Sequence, residues 1–399
     1  MRGENYVLCD EGKARLWVPN TELFRRPDGI YEPSWAPVFY NPEQTLNRDL
    51  TVALLRAVKS FMDEPRRALD AFSGTGVRAI RIAVEVGGFS EIYATDISAE
   101  SYEIIRKNIE LNRLLGRVRA VRIDANAFMY LMKSAGKTFS YIDIDPYGTP
   151  APYIPASVWA VRSGGLLGVT ATDTAPLSGS RWRAGSRRYL ANLSRYDVPH
   201  YLGLRVLLGF IARVAASMDR SIEPLLSFHN KHYYRVFVKV SKGASGASSM
   251  LLESVGYILY CKDSGWRRVV RGGTPEHLLT DVSGECRDPA LIGPLWVGGL
   301  GTAEVIQLTT SEISNTLNYL STKERLIHLL QHLREESSLP NVYDVVSVAR
   351  KSRVNTPKLS KVIECLREAG FKTVRSHLCR TCVATGAGWE DVRSCVVGG

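Results

Sequence analysis

A-L-D-A-F-S-G-T-G-V-R, residues 68–78, decides how this chain is read. A short apolar run ends near an acid, passes through Gly74 and Gly76, and opens into an amphipathic segment. Glycine permits left-handed backbone angles and close ligand approach, so the expected order is strand, glycine turn, helix. Working outward, apolar runs at 68–72, 91–95, 118–123, 141–145 and 166–170 are mostly separated by amphipathic segments such as 98–115. Parallel strands need crossover connections, and the crossing helices cover both sheet faces. The alternation therefore predicts an α/β fold with a Rossmann-like parallel sheet.

Successive runs carry polar groups at their carboxyl ends. Asp70 leads into the glycine turn, and Asp96 follows about 20 residues past Gly76, where a ribose-binding acid is expected. Asp124 ends the third run and could accept from an adenine amino group, with the Ala125 N–H beside it. The fourth ends in Asp145-Pro146-Tyr147-Gly148. A dinucleotide site would want a third spaced glycine, which G-T-G-V-R-A lacks, and there is no Lys-Ser/Thr phosphate loop. S-adenosylmethionine, a nucleoside cofactor without phosphates, fits better. Taken singly, each acid also reads as a helix cap or a surface ion pair.

Y-I-D-I-D-P-Y-G-T-P, residues 141–150, suits chemistry on the amino group of a flat base. Asp145 can accept from an amine. Pro146 offers a carbonyl with no competing N–H, and Tyr147 offers a stacking face.

The chain has 399 residues, 45% hydrophobic and 23% charged, which suggests two globular domains. Its 51 Lys and Arg against 40 acids leave +11, a balance suited to a polyanion such as nucleic acid. No apolar run is long enough for a bilayer, and the N-terminus lacks a signal-like apolar core, so a cytoplasmic location is expected. Seven scattered cysteines are expected to be reduced thiols.

Past the sheet region, 202–216 reads as an apolar helix and 232–240 as a late strand. Earlier, Asn47 is a candidate cap for a helix with Leu50, Leu54 and Val58 on one face. S-K-G-A-S-G-A-S-S, residues 241–249, reads as a flexible boundary or a long hairpin loop, which divides the chain at 1–245 and 246–399. Segment 256–300 suggests a small mixed module. Helices are expected at 321–336, 342–350 and 358–369, the last started by Thr356-Pro357 and stopped by Gly370, as in a winged helix. Arg181, Trp182, Arg183, Arg187 and Arg188, in S-R-W-R-A-G-S-R-R, are candidate RNA contacts.

Several motifs together resemble the tRNA guanine-N2 dimethyltransferases acting at guanosine 26, archaeal type. They are V-F-Y-N-P-E-Q-T-L-N-R-D-L at 38–50, D-A-F-S-G-T-G-V-R at 70–78, D-I-D-P-Y-G-T-P at 143–150, G-V-T-A-T-D-T-A-P-L-S-G at 168–179 and G-P-L-W-V-G at 293–298. The resemblance spans nearly the whole chain. It implies a class I methyltransferase domain and a smaller α+β C-terminal domain with a winged-helix-like part. S-adenosylmethionine would be the methyl donor and tRNA the partner, with no membrane and no obligate protein partner. It places Arg48 and Arg78 near the cofactor's methionine end, with Asp70, Gly74, Gly76, Asp96, Asp124 and Ala125 around the rest. Asp145 would be the catalytic acid, with Pro146, Tyr147 and Phe39 beside the target base. Tyr147 stands where the family usually has Phe, and a stacking face survives that change.

Many relatives hold zinc with two Cys-x-x-Cys pairs. Here those sites read C-K-D-S at 261–264 and C-R-D-P at 286–289, too few thiolates, so no zinc is expected. Cys379-x-x-Cys382 is expected to have a role other than metal binding. Two other readings remain: a methyltransferase for another RNA guanine N2 or adenine N6, and a non-enzymatic RNA-binding protein.

Overall fold

The computed structural model describes residues 5–64, 66–272, 286 and 288–398. Its contacts group into two compact units. One comprises Met1–Pro146, Tyr153–Val169 and Gln307–His328; the other comprises Tyr147–Pro152, Thr170–Ile306 and Leu329–Gly399.

The first unit opens with an antiparallel hairpin, β1 (Tyr6–Glu11) and β2 (Ala14–Pro19). Five strands follow: β3 (Arg67–Asp70), β4 (Glu91–Asp96), β5 (Val118–Arg122), β6 (Phe139–Ile144) and β7 (Val161–Ala171). They pair in parallel in the order β5-β4-β3-β6-β7, with Ala68 opposite Ile92 on one side and Tyr141 on the other. Chain order reverses at β3, which creates a crevice at the carboxyl ends of β3 and β6. Leu69, Ile92, Ile142 and Leu167 are fully buried in this sheet. Such strands read as continuous apolar runs because helices cover both faces.

Helices α1 (Thr45–Val58), α2 (Val77–Arg81), α3 (Ala99–Leu111), α4 (Ala125–Ser134) and α5 (Ile154–Ala160) belong to the same unit. Ser98 caps α3 through its hydroxyl, 3.3 Å from the Ser101 N–H, and Ile104, Ile105 and Ile109 form its buried face. Asn47 does not cap α1. It lies inside the helix, fully buried, donating to Gln44 Oε1 at 3.0 Å. Asn41 caps the preceding 3-10 turn instead, accepting from the Glu43 N–H.

In the second unit, β8 (Arg220–Asn230) and β9 (Tyr233–Lys242) form an antiparallel pair beside the apolar helix Pro199–Ala216. A three-stranded sheet has the order β11-β10-β12, with β10 (Val255–Tyr260), β11 (Arg267–Arg271) and β12 (Ala290–Trp296). The stretch 241–249 is not a flexible loop: helix Ala244–Ser254 occupies most of it. Gly and Ser favour helix weakly, but burial of Ala247 and Met250 on one side outweighs propensity.

Helix Lys323–Glu336, β13 (Asn341–Asp344), helices Val345–Ser352 and Leu359–Glu368, then β14 (Thr373–Arg375) and β15 (Cys382–Thr385) follow in winged-helix order. The strands pair as β13-β15-β14. Thr356-Pro357 is not the helix start; Lys358 is the cap residue, without a side-chain bond. Gly370, at φ 87°, follows the helix end as expected.

The reduced-thiol expectation is overturned. Cys261–Cys286, Cys365–Cys395 and Cys379–Cys382 are disulfides, and Cys9 is a free thiol. Folding brings their Cα atoms to 5.8, 5.8 and 5.2 Å, within bridging reach, and for the first two pairs wide sequence spacing conceals this. The first cysteines of the two truncated pairs are thus bonded to each other. Among the described residues, no helix is long and apolar enough to cross a membrane.

Candidate active site at the strand ends

Asp124, Asp96, Asp70 and Asp145 stand at the carboxyl ends of four adjacent strands, β5, β4, β3 and β6. Between them runs the glycine turn. Gly74 and Gly76 have φ of +53° and +80°, and a Cβ on Gly74 would lie 2.5 Å from the Phe39 carbonyl oxygen. Two features therefore demand glycine there: backbone angle and close approach. Asp96 ties the turn down, accepting from the Gly74 and Ser98 N–H groups, each at 2.9 Å. Asp124 caps α4, accepting from the Ala127 N–H at 3.0 Å, and Ala125 begins that helix. Both acids perform the turn and capping duties of the plainer reading. Each carboxylate keeps further lone pairs for a ligand hydroxyl or amine.

β6 turns alternate side chains to one face, and Tyr141, Asp143 and Asp145 fall at that spacing. Arg78, from α2, is nearly buried against them. Its Nε lies 3.2 Å from Asp143 Oδ1, and its Nη2 donates to Asp145 Oδ2. Its Nη1 donates to Thr51 Oγ1 at 3.0 Å, with Asn47 Oδ1 at 3.5 Å. The Tyr141 hydroxyl donates to Asp143 Oδ2. Asp70 is buried and accepts from the Ala79 N–H at 3.3 Å. Burial pushes its carboxyl up to about 7, Arg78 pulls it down, and the Asp143 charge raises it again.

Arg48 is also buried, and Glu11 takes it at two points, Nε to Oε1 and Nη2 to Oε2, both 2.6 Å. Arg81 joins them, its Nη1 2.9 Å from Glu11 and 2.6 Å from Asp49, its Nε 2.6 Å from Glu85. Burial would raise the Glu11 carboxyl, but Arg48 and Arg81 hold it at about 2. Sequence reading missed Glu11, Asp143, Thr51 and Asn47 at this site. The alternation Tyr141-x-Asp143-x-Asp145 was the available signal for Asp143; Glu11, 37 residues from Arg48, gave none.

Phe39 is partly exposed, with its backbone against the glycine turn. Pro146 is buried, and Tyr147, next in the chain, is 80% exposed. In the second unit, Arg181 precedes helix Trp182–Tyr189, whose Arg183, Arg187 and Arg188 are all exposed. The Arg183 guanidinium sits 5.0 Å over the Trp182 ring, and Arg188 pairs with Asp173 at 3.1 Å. Buried Tyr189 donates to the same Asp173 at 2.7 Å and anchors the helix. Asp344, Cys379 and Cys382 gather ligand-type atoms, but the two sulfurs are bonded to each other.

Residues 12–396 match the family model of N2,N2-dimethylguanosine tRNA methyltransferase. The chain belongs to this family. Two members named tRNA (guanine(26)-N(2))-dimethyltransferase are similar to it nearly end to end. That of Aeropyrum pernix is 36% identical, covering 98% of this chain and 96% of its own, and that of Pyrococcus abyssi is 35% identical, covering 95% and 96%. The fold is similar to Trm1 from Pyrococcus horikoshii, solved with S-adenosyl-L-methionine. The TM-score is 0.83 at 32% identity, over 98% of this chain and 99% of that one. The α/β methyltransferase fold expected from the sequence is thereby shown.

Proposed function

We infer that this protein transfers methyl groups from S-adenosylmethionine to the exocyclic N2 of guanosine 26 in tRNA, giving N2,N2-dimethylguanosine. The carrying observation is the Asp145 carboxylate, held by Arg78 at the end of β6, one strand from the glycine turn.

The residues fit the cofactor. The turn around Gly74 leaves no room for a Cβ, and the Thr75 hydroxyl within it is buried without a partner among the described residues. Asp96 suits ribose hydroxyls, Asp124 and Ala125 suit an adenine edge, and Asp70, Gly74 and Gly76 shape the floor. Arg48 and Arg78, expected at the methionine end, already have carboxylate partners, Glu11 for the first and Asp143 with Asp145 for the second. When bound, S-adenosylmethionine supplies an electrophilic methyl on a sulfonium.

The guanine N2 lone pair is delocalised into the ring, so the amine is a poor nucleophile. The Asp145 carboxylate and the Pro146 carbonyl accept the amine hydrogens and favour a tetrahedral nitrogen. The same oxygens stabilise the positive charge that develops, and Asp145 takes the departing proton. Phe39 and Tyr147 each offer a ring to an unstacked base. Trp182 with Arg181, Arg183, Arg187 and Arg188 contributes charge and stacking to RNA. We assign methyl transfer to 1–245 and grip on the tRNA body to 246–399, and place the reaction in the cytoplasm with its tRNA.

Unmodified tRNA transcripts with guanosine 26 present or replaced test this, read by nucleoside mass spectrometry. Dimethylguanosine only when guanosine 26 is present supports the reading; equal methylation of both transcripts overturns it.

A further inference from the structure

We propose that Asp143 is a positioning residue for methyl transfer: acting through Arg78, it fixes the Asp145 carboxylate and offsets the Arg78 charge, leaving the group net negative. This rests on the reading of Asp145 as the group that accepts the amine hydrogens.

The geometry is a chain of hydrogen bonds and ion pairs along one face of β6. The Tyr141 hydroxyl occupies Asp143 Oδ2, so Asp143 presents Oδ1 to Arg78 Nε, 3.2 Å away. Thr51 and Asn47 on α1 hold Nη1 from the other side. The guanidinium is thus fixed from two elements before it reaches Asp145 with Nη2. A planar guanidinium held at Nε and Nη1 has no freedom left at Nη2, so Asp145 Oδ2 is fixed in turn. Its Oδ1 then takes a set direction for an amine hydrogen.

Charge supplies the second half. Arg78 paired with Asp145 alone would sum to zero, a poor partner for a nitrogen gaining positive charge. Asp143, with no exposed surface, brings the trio to −1. Arg78 and Asp143 are shielded from water, so that surplus charge is felt more strongly than it would be in solvent.

The test uses the full-length protein and a tRNA transcript carrying guanosine 26, with Asp145→Ala, Asp143→Asn and Tyr141→Phe. Binding of S-adenosylhomocysteine is followed by calorimetry, and folding by thermal unfolding. Asp145→Ala is expected to lose turnover and keep S-adenosylhomocysteine binding. Asp143→Asn is expected to lower kcat by about 100-fold, the scale of losing one preorganised electrostatic group. Its KM for tRNA and its affinity for S-adenosylhomocysteine should stay within about 3-fold, because the loss falls on the chemical step. If Asp143→Asn does not fold, Tyr141→Phe decides, with a kcat loss of roughly 3–10-fold expected for one hydrogen bond. Full kcat in the folded Asp143→Asn protein, or in Tyr141→Phe where that one is unfolded, overturns the proposal. So does a kcat loss matched by lost S-adenosylhomocysteine binding, which would give Arg78 to the cofactor. A fully active Asp145→Ala removes the underlying reading. An inactive Asp145→Ala beside a fully active Asp143→Asn removes this proposal alone.

Discussion

Glu11 and Arg48, 37 residues apart, form a buried two-point ion pair in which both contacts measure 2.6 Å. The pair fastens the N-terminal hairpin to α1, the helix that also braces Arg78 through Thr51 and Asn47. Removing one partner strands a buried charge. Glu11→Ala should destabilise the protein by about 3–5 kcal/mol, measured by urea unfolding. Arg48 and Arg81 hold the Glu11 carboxyl at about 2, below its unfolded value of 4.5. Its contribution is therefore complete above about pH 4.5 and is lost as pH falls through about 2. The difference between wild type and Glu11→Gln should shrink over that acid window. A constant difference would contradict the pairing.

Asp70 has the opposite sign. Burial raises its carboxyl from 3.8 to about 7, so the folded state holds a proton that the unfolded state releases. Stability should fall as pH rises from about 4 to about 7 on this account. Asp70→Asn removes the ionisation and retains an acceptor for the Ala79 N–H. Unfolding free energies across that range should show the variant gaining on wild type as pH rises. Parallel curves would contradict the burial argument.

Gly74→Ala should abolish cofactor binding in calorimetry. A left-handed angle costs a non-glycine residue about 1–2 kcal/mol, and the new methyl must also displace the Phe39 backbone. Gly76→Ala should be milder sterically, because its Cβ would meet the Ile105 side chain at 3.3 Å rather than a backbone oxygen at 2.5 Å. Equal, wild-type affinities would show that the turn is not the cradle.

Arg183→Ala and Arg187→Ala should each weaken tRNA binding and lower the salt-dependence slope by about 1, as expected for one phosphate contact. Arg188 is paired with Asp173, so its replacement should disturb the helix as well. Unchanged affinities at low and high salt would detach this helix from RNA.

The parallel sheet was legible because buried strands between helices appear as apolar runs, and β3 to β7 fall on those runs. The strand-end acids were legible because the fold places them at fixed offsets from the glycine turn. The partners of Arg48 and Arg78 were not, since Glu11 and Asp143 meet them only through tertiary packing. Segment 241–249 was misread because local propensity favours a loop, while burial of Ala247 and Met250 is a long-range effect. The disulfides were hidden likewise: Cys261 and Cys286 are 25 residues apart.

Asp145→Ala is the most direct measurement. The variant and wild type are incubated with S-adenosylmethionine and a tRNA transcript bearing guanosine 26, then the nucleosides are weighed by mass spectrometry. Wild type should yield N2,N2-dimethylguanosine, and the variant none while still binding S-adenosylhomocysteine. Dimethylguanosine formed by the variant at the wild-type rate would contradict the assignment of the chemistry to the end of β6.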